Sequence, residues 1–156
     1  MIDVEIEDGR WGEAVADAEN LVTAAATATL LSAHPRESGK LVVLLTNDET
    51  VRDLNARFRN QDKPTNVLSF PAPPNPENHL GDIALAFETC AREAREQGKP
   101  VAHHLQHLVA HGVLHLVGYD HRSDAEARAM EALEREILSG LGVPDPYAAT
   151  GQGDDG

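Results

Sequence analysis

Aromatic side chains are scarce in this 156-residue chain, which has one tryptophan, two tyrosines and three phenylalanines. Leu, Val, Ile and Ala must therefore fill most of the core. There is a single cysteine, Cys90, so no internal disulfide can form and the chain fits a reducing compartment. Long apolar runs are also missing. Leu41 to Leu45 is only five residues long and threonines interrupt Leu21 to Leu31, so no segment is expected to span a membrane. Met1-Ile2-Asp3-Val4-Glu5 has neither the basic start nor the apolar stretch of a signal peptide. The expectation is a cytoplasmic protein with one domain, large enough to bury a core without staples.

Positive charge is in short supply too. The net charge of −13 argues against general, charge-driven binding to nucleic acid, because phosphate binding rests on neutralisation by Lys and Arg. The deficit is uneven. Between residues 36 and 63, Arg36, Lys40, Arg52, Arg57, Arg59 and Lys63 outnumber the acidic residues by one, leaving −14 for the remainder. Any RNA contact should therefore be local to that middle segment.

What is present is a succession of short elements. Ile2, Val4 and Ile6 alternate with acidic residues, as in a half-buried strand. Gly12 to Ser32, rich in Ala and Leu, predicts one helix that ends at His34-Pro35. Lys40 to Thr46 predicts a central strand, and Asn47 or Asp48 can cap a helix from Glu49 to about Phe58. Asn66–Phe70 and Gly81–Phe87 read as strands separated by a proline-rich loop. Helices follow over Glu88–Gln97, stopped by Gly98, and from Pro100 to about Val117, stopped by Gly118. Ser123 and Glu126 form a capping box for a last helix reaching about Leu138. Residues 145–156 lack an apolar pattern and are expected to be a disordered tail on a catalytic domain spanning 1–144. The fold class implied is α+β, a small mixed sheet packed with about five helices.

Six of the eight histidines lie between His103 and His121. His111 and His115 are one helical turn apart on one face. Gly118 lets the chain turn, so that His121 can complete a trigonal set of imidazoles. Three imidazoles with an open fourth position make a catalytic zinc site, and a structural zinc is normally closed by four protein ligands. Nickel or another divalent ion can also be held by three histidines. His107, one turn before His111, is a candidate to stand behind the ligands. His34, His79, His103 and His104 are given no role.

The pattern His-x-x-x-His-x-x-Gly-x-x-His is also that of the metzincin zinc proteases, where a Glu after the first His is the general base. Gly112 occupies that position here. Losing such a base costs roughly 10²–10⁴-fold in rate, which argues against a peptidase.

The run from His111 to His121, His-Gly-Val-Leu-His-Leu-Val-Gly-Tyr-Asp-His, resembles the signature of the YbeY family of bacterial metal-dependent endoribonucleases. Leu54 to Pro71 resembles the central motif of that family, and Leu80-Gly81-Asp82-Ile83-Ala84-Leu85 its Gly-Asp strand. The likeness extends from residue 2 to about residue 143. It implies a zinc ion on His111, His115 and His121, with His115 part of the catalytic centre, and a functional Arg59. It also implies RNA as substrate, rRNA processing that includes the 3′ end of 16S rRNA, ribosomal particles as partners, and ribosome quality control. The acidic balance suggests that the ribosome or a partner protein delivers the substrate.

Arg59 suits a phosphate as a planar, always-charged fork. Lys63 and Arg57 are candidates to guide RNA, with simple solvation as the alternative. Asp82 is either a turn residue after Gly81 or a carboxylate behind the metal ligands. Asp120 is read as shaping its turn. Thr65 to Phe70 is a candidate edge strand walling a cleft. No side chain stands out as a general base beyond a water on the metal. The rival readings are a non-catalytic ribosome-associated factor with a structural metal and, disfavoured by Gly112, a metallopeptidase.

Overall fold

The computed structural model describes residues 2–33, 39–62, 65–120 and 122–147. Its four strands are β1 (Ile2–Ile6), β2 (Lys40–Thr46), β3 (Val67–Pro71) and β4 (His79–Ala86). They form one sheet in the order β1-β2-β4-β3, in which β1, β2 and β4 are parallel and β3 is an antiparallel edge. The expected mixed sheet is therefore observed, with β2 central as its apolar run required.

Alternation along the strands makes two different faces. Leu41, Val43 and Leu45 of β2, with Ile83 and Leu85 of β4, join the main core. Helices α2 (Ala18–Ala33) and α5 (Val101–Leu116) cover this face with Val22, Ala25, Leu105, Val109 and Val113. On the other face Ala84 and Ala86 meet Val51 of α3 (Asp48–Arg59), with Leu44, Leu54 and Phe70 around them. Helices α4 (Phe87–Glu96) and α6 (Asp124–Gly140) pack against α5. Helix α5 is thus buried along most of its length, which makes it a rigid platform for its histidines.

The single helix expected over 12–32 is two, α1 (Arg10–Ala14) and α2, which brings the helices among the described residues to six rather than about five. Asp17 adopts a left-handed φ of 61° between them, and its carboxylate accepts from Asn20 Nδ2 at 2.8 Å. Trp11 gives the break its purpose. Its ring is fully buried, Nε1 donates to the Thr46 carbonyl at 2.8 Å, and Phe87 meets it edge-on at 5.2 Å. The helix end expected at His34-Pro35 lies outside the described residues.

The expected caps largely form. Asn47 accepts from Thr50 N at 2.8 Å, and Ser123 Oγ from Glu126 N at 3.1 Å. The Glu126 carboxylate, however, returns to Arg122 N rather than Ser123 N, so the box closes one residue early. Gly81 has a φ of 151°, and a Cβ there would lie 2.4 Å from the Phe70 carbonyl oxygen and 2.7 Å from Leu116. Only glycine allows strand β4 to pass between β3 and α5 so closely.

Residues 145–147, placed by composition in the tail, fold back on α6. Asp145 accepts from Tyr147 N at 2.8 Å and from Arg135 Nε at 3.2 Å. Among the described residues no helix is long and apolar enough to cross a membrane.

Candidate metal centre

Successive turns of α5 bring His107, His111 and His115 along one side of the helix, where His107 and His111 meet Glu134 of α6. The Nε2 atoms of His111 and His115 approach to 3.1 Å, with their rings nearly perpendicular at 79°. Two nitrogens bound about 2.0–2.1 Å from one tetrahedral zinc lie roughly 3.3–3.4 Å apart, so this pair fits two corners of such a site. Both imidazoles are only partly buried, which leaves a path for substrate. His121, the expected third ligand, lies outside the described residues. Among the described residues no three His, Cys, Asp or Glu side chains are grouped to hold a metal.

Behind the pair sits a carboxylate that sequence reasoning missed. Glu134 of α6 is fully buried, and its Oε2 lies 2.8 Å from His111 Nδ1. Its Oε1 meets His107 Nε2 at 2.9 Å and accepts a hydrogen bond from the Tyr147 hydroxyl. Burial pushes this carboxyl up, but the hydrogen bonds and charges of His107 and His111 outweigh it and hold Glu134 at about 2. Burial pushes His107 below its ordinary value, with Glu134 opposing, and burial with the Glu134 charge raises Tyr147. A signal for Glu134 existed. It shares the buried stripe of α6 with Met130, Ile137 and Leu138, and a charge on an apolar stripe requires partners. Tyr147 had no comparable signal.

Gly112 follows His111 and faces the sheet. A Cβ there would lie 3.1 Å from Ile83 and 3.2 Å from Ser69 Oγ, and Ser69 Oγ donates to the Gly112 carbonyl at 3.2 Å. The position of a metzincin base is thus an inward packing position, closed to a carboxylate.

Ser69 also links this helix to Arg59. At the end of α3, Arg59 donates from Nη2 to the Ser69 carbonyl, and its guanidinium carbon lies 5.7 Å from the Phe70 ring centre. Arg59 is thereby fixed against the edge strand whose next contact is the residue after His111.

Other expected residues are placed elsewhere. Asp82 alternates with Ile83 and so lies on the α3 face, lining a groove with Val42, Leu54 and Phe58. Its carboxylate meets His79 Nε2 at 3.0 Å, so the structure does not bring it behind the histidines. Arg57 is exposed and pairs with Asp53 at 3.1 Å. Asp120 accepts from Arg122 Nε at 2.8 Å across its turn. Lys63 lies outside the described residues. His104, given no role, is buried with Nε2 2.8 Å from Glu93, which also accepts from Asn66.

The family model for Endoribonuclease YbeY matches residues 4–142. The chain belongs to the YbeY endoribonuclease family. A member from Rhodopseudomonas palustris is 54% identical, over 87% of this chain and 76% of its own. Members from Chelativorans and Cereibacter sphaeroides are 51% and 49% identical; each match covers 94% of this chain, and 93% and 98% of theirs. A solution structure of a Thermotoga maritima protein shares the fold with a TM-score of 0.57 at 24% identity, over 91% of this chain and 92% of that one. The resemblance carried by the histidine signature is thus confirmed at the level of the whole domain.

Proposed function

We propose that this chain is a metal-dependent endoribonuclease that cleaves unpaired segments of rRNA in the cytoplasm, including the 3′ end of 16S rRNA, during ribosome maturation and quality control. The observation that carries the reading is the convergence of His111 and His115 Nε2 at 3.1 Å on a buried helix of a YbeY-family domain. His111, His115 and His121 would hold one zinc ion per chain. Such an ion supplies Lewis-acid charge and lowers the pKa of water to about 7.

The rest falls to side chains. Arg59 spends one of its five donors on the Ser69 carbonyl, which orients the fork and leaves further N–H groups for phosphate oxygens. Phe70 supports its plane. Arg57, in the last turn of α3, and Lys63 are the further candidates to guide RNA. With a net charge of −13 the chain depends on ribosomal particles or a partner protein to present the substrate.

The reading is tested by incubating a structured rRNA fragment with wild type, His115→Ala, Arg59→Lys and Arg59→Ala, with metal content measured on each. His115→Ala should lose both metal and cleavage. Both Arg59 variants should keep metal and cleave at least about 100-fold more slowly, a loss of the size seen when one transition-state donor is removed. Cleavage that persists after the metal is lost would refute the metal-dependent reading, and unchanged cleavage in both Arg59 variants would refute the role of Arg59.

A further inference from the structure

We infer that Glu134, clamped by His107 and Tyr147, is a positioning residue that fixes His111 in the Nδ1–H tautomer and so presents its Nε2 lone pair to a metal ion. The inference rests on the metal-site reading above and extends it to three residues from α5, α6 and the C-terminal turn.

A carboxylate with no exposed surface requires donors, and Glu134 has three. Oε2 takes His111 Nδ1 at 2.8 Å; Oε1 takes His107 Nε2 at 2.9 Å and the Tyr147 hydroxyl. An ionised carboxylate only accepts, so the proton on that side of each ring belongs to the imidazole. For His111 this places the hydrogen on Nδ1. In a neutral ring the lone pair then sits on Nε2, the atom 3.1 Å from His115 Nε2. His107 carries its hydrogen on Nε2 by the same logic. Its Nδ1 is then a bare acceptor, which agrees with that atom being buried and without a hydrogen-bond partner among the described residues.

Tyr147 turns this into a clamp rather than a single contact. Its main-chain N–H is held by Asp145 at 2.8 Å, its ring meets His107 edge-on at 5.4 Å, and Arg135 lies 5.3 Å over its face. The tyrosine therefore closes the third side of Glu134, so the carboxylate cannot rotate away from His111. Carboxylates that orient metal-binding histidines in this manner change metal affinity by about 10–100-fold when removed.

The test uses zinc alone, with affinity measured by chelator competition on wild type, Glu134→Gln and Tyr147→Phe. It also uses long-range ¹⁵N–¹H spectra of His111 in the metal-stripped proteins. Wild type should show the Nδ1–H tautomer. Glu134→Gln should mix tautomers and bind zinc about 10–100-fold more weakly, and Tyr147→Phe should show a smaller loss of affinity. An Nε2–H tautomer in wild type would overturn the inference, as would a zinc affinity in Glu134→Gln within about twofold of wild type. If Glu134→Gln fails to fold, the wild-type tautomer and the affinity of Tyr147→Phe decide it. If wild type takes up no zinc, the metal-site reading fails, while the tautomer still judges Glu134 separately.

Discussion

Gly112 shows how one position can carry two meanings. In sequence it is the missing base of a protease motif. In the fold it is the point where α5 rests on Ile83 and Ser69, with 3.1–3.2 Å left for a Cβ. Gly112→Glu should therefore not create a peptidase. It should force a charge into the helix–sheet contact and cost several kcal/mol, on the order of 3–5, because the carboxylate would be buried unpaired. Urea denaturation of the variant checks this, and a midpoint equal to wild type would show that the position is not closed. The histidines were legible at this scale because an i, i+4 pair needs only a helix to come together. Asp82 was not, because its role depends on which sheet face it takes, and a one-residue alternation sent it to the groove on the α3 side.

At the scale of elements, propensity and capping residues located every strand and most helices. Asn47, Gly98, Gly118 and Ser123 each stand where a helix begins or ends. The helix expected over 12–32 failed because the Ala-rich stretch contains nothing that forbids continuation. Trp11 docks under β2 only if the chain breaks near Asp17. The contact of Tyr147 with Glu134 was illegible for a similar reason, since one tyrosine in a polar run has no periodicity to read. A chain ending at Pro144 should be less stable than one ending at Tyr147 by about 1–3 kcal/mol, the cost of leaving buried Glu134 one donor short. Thermal unfolding of the two chains compares them directly, and equal midpoints would show that Tyr147 adds nothing to the fold.

For the whole molecule the governing quantity is charge. At −13, long-range attraction to RNA is weak, and on the proposed reading binding would rest on a few cations near α3. Each phosphate neutralised on a single strand contributes roughly −0.7 to the slope of log affinity against log salt. The slope for an unstructured RNA should be shallow, no steeper than about −2, corresponding to about three phosphates. Fluorescence anisotropy over a salt series measures it. A much steeper slope would reveal a larger basic surface than the charge distribution allows and would remove the reason for a partner to deliver the substrate.

Sequence by itself determined the order of the strands and of the helices after β2, the mixed α+β class, the paired histidines of α5 and the family resemblance. Those features depend on local spacing, local capping and motif identity. Tertiary structure alone decided that Glu134 and Tyr147 stand behind His111, that Arg59 is anchored on Ser69, and that Asp82 faces away. Each of these joins residues 10 to 23 positions apart or separates near neighbours by sheet face. The physical reason is that the apolar stripe of α6 shows only that Glu134 is buried, whereas the donors that meet it are chosen by the packing of α6 and the C-terminal turn against α5.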